Sequence, residues 1–226
     1  MLFGRIYWTL SMTYYNFLPS FARRKGRITK LQETNLSFLA DYSLDDPNTL
    51  NNDLSFDKIA LEIGFGNGED FFSFAKEKTN TLFLASEVYK SGIGNLIGKI
   101  REHSLENIYI HEGDIRDLIF EEKGFKFDEV YIICPDPWPK DRHHKRRLLN
   151  KDFFERIQLC LKPNSFIFLS TDWKNYSEQI QDVLRGFEDK FSIESVKQIP
   201  GRELSKFQRK GIKEGREIYN FKLSLI

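Results

Sequence analysis

Short apolar runs alternate with helical patterns along most of this chain, and this alternation constrains the fold more than any other feature. The apolar runs fall at residues 58–63, 81–88, 107–111, 127–134 and 165–170. Buried strands that alternate with helices form a parallel sheet covered by helices on both faces. Two later runs, 191–199 and 218–225, have no obvious long helix between them. They predict an antiparallel edge, which makes the fold α/β.

The segments between these runs predict helices. The first two fall at 70–78 and 92–103. A third is expected to begin after an Asn150 cap and to end at Pro163–Asn164. Its predicted apolar face comprises Phe153, Phe154, Ile157 and Leu161. A fourth, capped by Asp172 or Asn175, should run to about Gly186.

Length and composition indicate one globular domain. The chain has 226 residues and two cysteines, Cys134 and Cys160, both within apolar runs. We therefore expect a reduced, cytoplasmic protein without a disulfide framework or a metal site. No apolar stretch reaches the roughly 18 residues that a membrane-spanning helix needs. Residues 1–20 lack the continuous apolar core of a signal peptide, so we expect an amphipathic or poorly ordered extension before a single domain, 21–226.

Positive charge is gathered in three segments, 23–30, 140–147 and 202–217. Together they hold 16 of the 34 Lys and Arg residues but only 4 of the 33 acidic residues. The segments carry a net charge of +12, whereas the rest of the chain carries −11. If they meet on one face, they form an electrostatic footprint for a polyanion such as a nucleic acid. The alternative is three unrelated solvated loops.

Glycines and acids follow the first three predicted strands. Gly64, Gly66 and Gly68 directly follow the first strand, Glu87 ends the second and Asp114 follows the third. The spacing GxGxG differs from the GxGxxG of dinucleotide-binding loops, which disfavours a pyrophosphate cradle. Carboxylates at these strand ends can accept hydrogen bonds from ribose hydroxyls and an adenine amine. This pattern favours an adenosine-type ligand, although turn glycines and solvated carboxylates could produce it too.

The fourth strand ends in a proline-rich loop, Pro135–Lys140, that reads PDPWPK. Proline fixes φ, so the loop should be rigid and should hold Asp136 in place. Asp136 and Trp138 could offer a planar base a carboxylate and a stacking face, with the basic run 140–147 directed towards phosphates. The alternative is a turn in which Trp138 anchors the core.

With these motifs the chain resembles the bacterial tRNA (guanine-N7)-methyltransferases. The most specific match is PDPWPKDRHHKRRL at 135–148, and the resemblance extends over nearly all of 21–226. RRKGRITK at 23–30, LEIGFGNG at 61–68 and the Ser170–Trp173 segment are similar to further family motifs. The resemblance implies a Rossmann-like class I methyltransferase fold, with a mostly parallel sheet of seven strands.

The resemblance also implies a set of functional residues. S-adenosyl-L-methionine would be bound by the glycine loop with Glu62, Glu87, Asp114 and Asp136, and Asp136 would also be catalytic. The expected substrate contacts are Lys140, Asp172, Ser205, Lys206, Phe207 and Gln208. The expected RNA contacts are Arg142, His143, His144, Lys145, Arg146 and Arg147. The implied target is the variable-loop guanine of tRNA, at tRNA position 46, with no obligate protein partner and a monomer or homodimer as the assembly.

The chain departs from the family pattern at three positions, Asp141, Ser205 and Gln208. The family has a Thr-x-Phe-Glu stretch where this chain reads Ser205 to Gln208, so a carboxylate is replaced by an amide. Asp141 occupies a position that is commonly basic in the family, which weakens the local positive field. The amide of Gln208 weakens the expectation that this side chain binds the N–H groups of guanine.

Two other functions remain open on sequence. An exocyclic-amino methyltransferase acting on adenine or cytosine has an Asp/Asn-Pro-Pro-aromatic motif, but here Trp138 follows Pro137 directly. A non-catalytic RNA-binding module could also retain the fold. The intact glycine loop with its two acids, Glu87 and Asp114, argues against that second alternative.

Overall fold

A computed structural model describes residues 17–21, 27–44, 47–51, 55–120 and 124–226. The strands are β1 (Lys58–Ile63), β2 (Thr81–Glu87), β3 (Ile108–Glu112), β4 (Phe127–Ile133), β5 (Leu161–Thr171), β6 (Phe191–Ser195) and β7 (Tyr219–Leu225). The α-helices are α1 (Lys30–Leu36), α2 (Leu39–Tyr42), α3 (Pro47–Asn51), α4 (Glu69–Glu77), α5 (Lys90–His103), α6 (Arg116–Ile119), α7 (Lys151–Ile157), α8 (Lys174–Leu184) and α9 (Lys206–Lys213). Short 3₁₀ helices lie at Asp141–Arg146, Gln158–Cys160 and Arg185–Phe187. None of the helices in these ranges is long and apolar enough to cross a bilayer.

The strands form one sheet of seven in the order β3-β2-β1-β4-β5-β7-β6. All neighbouring pairs from β3 to β5 are parallel, whereas β7 runs antiparallel to β5 and β6. The predicted α/β fold with an antiparallel edge is therefore confirmed. The chain reverses its direction of progress across the sheet between β1 and β4, which opens a crevice at the carboxyl ends of these strands.

Side chains alternate between the two faces of the sheet along each strand, and both faces are buried. On one face, Leu61 and Val130 belong to a cluster that includes Phe153 of α7 and Ile180 of α8. On the other face, Ala60 and Phe83 belong to a cluster with residues of α4 and α5. Continuous burial explains why the strands read as unbroken apolar runs in the sequence.

The helix after Asn150 is shorter than predicted. Asn150 does cap it, since its side chain accepts a hydrogen bond from the backbone N–H of Phe153. However, α7 ends at Ile157, and Leu161 begins β5 instead of extending the helical face. Pro163–Asn164 therefore lie within β5, next to an irregularity in its pairing with β4, and do not end the helix. Pairing of Leu161 with Phe127 overrides the helical periodicity.

Three further predictions about the late elements need correction. Helix α8 begins after Trp173, so neither Asp172 nor Asn175 is its N-cap. Strand β6 ends at Ser195, before the predicted limit at residue 199. Between β6 and β7 lies α9, which the sequence analysis missed. This helix is only eight residues long, and its buried positions are Gln208 and Gly211, so it lacks the apolar stripe by which a helix is recognised in a sequence.

Helix α1 docks on α5 at two glycines. A Cβ at Gly94 would lie 2.6 Å from the carbonyl oxygen of Gln32, and one at Gly98 would lie 2.4 Å from the Asn35 amide. The Asn35 side chain donates a hydrogen bond to the Gly94 carbonyl at 2.9 Å. Helix α1, which follows the basic N-terminal segment, thus packs on the face of α5 that carries the glycines, beside the glycine loop.

We predict that Gly94→Ala destabilises the fold, because the new methyl group would collide with the α1 backbone. The free energy of unfolding should fall by about 1–3 kcal/mol, the usual cost of overpacking. Gly186→Ala is the matched control, since a Cβ there meets no atom of the described residues within 4 Å. Chemical denaturation of both variants checks this, and equal stabilities would contradict the docking geometry.

Candidate active site

A cavity of about 390 Å³ opens at the carboxyl ends of the central strands. Its volume lies in the usual range for a small-molecule site. The expected cofactor residues all line it: Glu62, Gly64, Gly66, Gly68, Glu87, Asp114 and Asp136. So do Ser205, Lys206 and Phe207 from residues 202–213, which lie between β6 and β7 and which we call the late segment. Four further lining residues were not predicted from the sequence: Ser20, Phe21, Ile28 and Arg202. The crevice that the strand order creates is therefore the place where the predicted cofactor residues meet.

The glycine loop is held open by Glu87. Gly64, Gly66 and Gly68 have φ values of 76°, 61° and 81°, a region that favours glycine. One Glu87 oxygen accepts a hydrogen bond from the Gly66 N–H at 2.6 Å, and the other accepts from the N–H groups of Val88 and Tyr89. Glu87 therefore organises the loop as well as facing the cavity.

Glu62 is paired with Arg202 below the cavity. The two carboxylate oxygens accept from Nη1 and Nη2 of Arg202 at 2.6 and 2.7 Å. Both side chains are buried, with exposures of 1% and 5%. Burial raises the pKa of Glu62, although Arg202 opposes this effect. A residue of the basic segment 202–217 thus lines the cavity.

Asp114 is paired with Arg116, which also holds the N-terminal segment. Nε and Nη2 of Arg116 donate to the two Asp114 oxygens at 2.9 and 2.6 Å. Nη2 also donates to the carbonyl oxygen of Leu18 at 3.0 Å. Residues 17–21, which we call the strap, are thereby fixed beside the carboxylate that was expected to meet adenine. Residues 17–20, predicted to precede the domain, contact it directly, and residues 1–16 lie outside the described ranges.

The proline-rich loop contacts the strap as well. The Trp138 indole N–H donates to the carbonyl oxygen of Ser20 at 2.9 Å, and Arg146 lies 5.1 Å from the indole. Trp138 does not line the cavity, so a stacking face for a bound base is not where the sequence analysis expected it. Cys134 and Trp138 have φ values of 50° and 46°, which non-glycine residues seldom adopt. Surrounding contacts, and not prolines alone, set the shape of the loop that carries Asp136.

The basic run after this loop divides into exposed and buried cations. Lys140, Arg142 and Lys145 are exposed. Lys140 precedes the 3₁₀ helix, which also carries the partly exposed His143, His144 and Arg146. Arg147 is buried and donates to Pro137, Gln179 and Asn175. The guanidinium of Arg147 is therefore held inside the protein, and the expected RNA contact at Arg147 stays a prediction. Of the other basic segments, residues 23–26 lie outside the described residues.

The late segment lines the cavity and continues into the capped helix α9. Ser205 accepts a hydrogen bond from the Gln208 N–H, and the Gln208 side chain accepts one from the Ser205 N–H. The Gln208 amide also donates to the Ser170 hydroxyl at 2.8 Å. Lys206 N–H donates to Asp70, and the Phe207 ring lies near Gly66. Gln208 is buried, does not line the cavity and caps α9, and its expected substrate contact stays a prediction.

Asp172 is also occupied within the protein. Nε of Arg216 donates to Oδ2 of Asp172 at 2.9 Å, and Nη2 of Arg216 forms an ion pair with the same oxygen at 2.9 Å. Asp172 packs against Gly211 of α9 and lies near Cys134. Burial raises the pKa of the Cys134 thiol to about 12, with a further contribution from Asp172. The thiol beside the cavity is therefore protonated at neutral pH and is a poor nucleophile.

Sequence comparisons place the chain among known methyltransferases. A family model described as "Putative methyltransferase" matches residues 57–221. A protein of Nitrosococcus oceani is 36% identical over 91% of this chain and 89% of its own length. One of Neorickettsia sennetsu is 38% identical over 76% and 77%. Both are named tRNA (guanine-N(7)-)-methyltransferase.

Solved structures agree in fold alone. An antibiotic-related methyltransferase has a TM-score of 0.55 at 16% identity, over 81% of this chain and 96% of its own. A precorrin-6y C5,15-methyltransferase from Geobacter metallireducens has a TM-score of 0.52 at 16% identity, over 90% and 94%. The Rossmann-like methyltransferase fold expected from the sequence is thereby confirmed.

We predict that Gly66→Val abolishes binding of S-adenosylmethionine, because the branched side chain would occupy the ligand's path and strain the positive φ. Gly124→Val is the matched control: Gly124 also has positive φ, and a Cβ there meets no atom of the described residues within 4 Å. Calorimetric titration measures affinity, and melting temperatures report folding. Full affinity in Gly66→Val would remove the glycine loop from the cofactor site.

Proposed function

This chain belongs to the tRNA (guanine-N(7)-)-methyltransferase family, and from that premise we propose that it transfers a methyl group from S-adenosylmethionine to N7 of a guanine in tRNA. The proposal rests on two features that meet at one crevice. A glycine loop flanked by Glu87 and Asp114 lines the cavity, and Asp136 lies at its edge, directly before an exposed basic 3₁₀ helix. By resemblance, the target is the variable-loop guanine.

The residues around the cavity fit the cofactor. The backbone of the glycine loop allows close approach of a nucleoside, and carboxylates stand at the ends of β2 and β3. A buried Arg202 nitrogen, Nε, has no hydrogen-bond partner among the described residues. Glu62 would face the amino-acid end of S-adenosylmethionine, while Glu87 and Asp114 would hold its ribose and adenine. When bound there, S-adenosylmethionine supplies a sulfonium methyl group that an in-line nucleophile can take.

The protein's task is alignment and stabilisation of charge. Guanine N7 has a free lone pair and no proton to lose, so no general base is required. Positive charge spreads onto the purine as N7 gains the methyl group, and a fixed carboxylate near the base stabilises it. We assign this role to Asp136, which lines the cavity from a loop of constrained shape. Asp172 is the weaker candidate because Arg216 already binds its carboxylate.

The substrate surface combines the exposed cations of the 3₁₀ helix with the late segment. Lys140, Arg142 and Lys145 are available to phosphates, and phosphate contacts position a nucleic acid. Phe207 is 39% exposed at the cavity mouth, where an aromatic ring can stack on a base. Lys206 lies beside it. The guanine would thus enter between Asp136 and Phe207.

The product identifies the reaction. After incubation with tRNA and labelled S-adenosylmethionine, nucleoside analysis should find the label in 7-methylguanosine. Asp136→Asn should lower the single-turnover rate at saturating cofactor by about 10²–10³-fold, because the isosteric amide lacks the charge. Its melting temperature controls for folding. Label in an exocyclic amine would replace the N7 assignment, and the absence of label with tight tRNA binding would indicate a non-catalytic module.

The RNA surface can be tested by its salt dependence. Replacing Arg142, Lys145 and Arg146 with Ala should weaken tRNA binding and flatten the log–log salt dependence, by roughly 0.7–0.9 units per lost phosphate contact. Cofactor affinity should remain unchanged. As a control, Lys126, Arg185 and Lys190 are exposed cations near the opposite ends of the strands. Their replacement should leave the slope intact, and equal slopes for both triple variants would refute this surface.

A further inference from the structure

The Arg202 guanidinium is bound to Glu62 along only one of its edges. Nη1 and Nη2, which form the end-on edge, donate to the two carboxylate oxygens of Glu62. A guanidinium has five N–H donors arranged in planar forks, so it can bind a second carboxylate along the side that carries Nε and one Nη. The ion pair therefore leaves one complete bidentate edge of Arg202 unused by Glu62.

The other surfaces of this guanidinium are covered. Its carbon lies 4.9 Å from the ring centre of Phe74 and 5.7 Å from that of Tyr131. Nε of Arg202 is buried and has no hydrogen-bond partner among the residues that the structure describes. A buried donor without a partner costs free energy, and such a group calls for a ligand or another explanation. Arg202 and Glu62 both line the cavity, so the explanation can lie in the cavity's occupant.

An acid and a base fixed side by side match an α-amino acid zwitterion. We infer that Arg202 binds the carboxylate of the amino-acid portion of the cofactor through its Nε edge, while Glu62 faces the neighbouring ammonium group. This assignment rests on the proposed function, and it adds a cofactor-binding residue that the sequence motifs did not identify. It also explains why a buried, charged pair stands at the floor of the cavity, where two apolar residues would cost less desolvation.

A carboxylate bound at Arg202 would also affect the segment that follows Arg202 in the chain. Arg202 lies three residues before Ser205, which caps the helix carrying Phe207. The same segment is attached by Lys206 N–H to Asp70, at the start of α4. Binding of a carboxylate at Arg202 therefore fixes the segment that reaches the cavity mouth.

A matched pair of ligands tests the inference without measuring activity. S-adenosylmethionine and its decarboxylated analogue share the sulfonium and the ammonium and differ in the carboxylate. In the wild-type protein, loss of the carboxylate should weaken binding by at least about tenfold, the equivalent of 1.4 kcal/mol. In Arg202→Lys the charge remains but the second fork is lost. Its affinity for S-adenosylmethionine should fall about tenfold or more, while that for the analogue should change less than about twofold.

Arg209→Lys is the control, because Arg209 lies on the same segment and pairs with Asp70 but does not itself line the cavity. It should bind both ligands like the wild type. If Arg202→Lys does not fold, Glu62→Gln with Arg202→Gln removes both charges together, and the wild-type preference for the carboxylated ligand should then vanish.

The possible contrary outcomes are distinct. A preserved preference for S-adenosylmethionine in the variants, or an equal loss for both ligands, would overturn the role of Arg202 and leave the proposed function standing. A wild-type protein that binds neither ligand would overturn the proposed function, and the Arg202 inference with it.

Discussion

The buried ion pair between Glu62 and Arg202 connects the first strand of the sheet to the segment that crosses the cavity. These residues are separated by 140 positions in the sequence, yet their four polar atoms lie within hydrogen-bond distance. Helix α9 is also joined to the sheet by the buried hydrogen bond from Gln208 to Ser170, whereas the residues just before the helix are held to β1 by the Arg202–Glu62 pair. Because a buried charge is stable only when paired, the pair strongly favours one placement of this segment.

The carboxylates at the carboxyl edge have protein partners before any ligand binds. Glu87 accepts hydrogen bonds from the Gly66 N–H of the glycine loop and from the N–H groups of Val88 and Tyr89. Asp114 holds Arg116, which in turn fixes the strap. Such contacts preorganise a site, since groups already held in place lose less entropy on binding. The same side chains can still use their remaining lone pairs, because an ionised carboxylate has about four acceptor positions. Binding and folding roles therefore coincide in these residues.

The basic residues of the three segments divide into those that are bonded within the protein and those that remain exposed. The sequence shows three basic segments, but two of their arginines, Arg147 and Arg202, are buried and bonded within the protein. Arg216 is paired with Asp172. The cations left for a polyanion are fewer than composition implies, and in residues 140–147 they are concentrated on one 3₁₀ helix. Local charge counts therefore overestimate an RNA-binding surface where arginine also serves as a buried multidentate donor.

The sequence alone determined the seven strands, the four helices α4, α5, α7 and α8, the glycine loop and the acids at the strand ends, because these depend on local periodicity and on residues next to each strand. It could not establish where α7 ends, since pairing of Leu161 with β4 is a tertiary contact. It also missed the strap and Arg202, because hydrogen bonds such as those from Trp138 to Ser20 join residues more than a hundred positions apart. Gln208 illustrates the same limit: the motif suggested substrate contact, whereas packing against Ser170 directs its amide into the protein. Local pattern decides which elements form, and only the packed fold decides which polar groups remain available to a ligand.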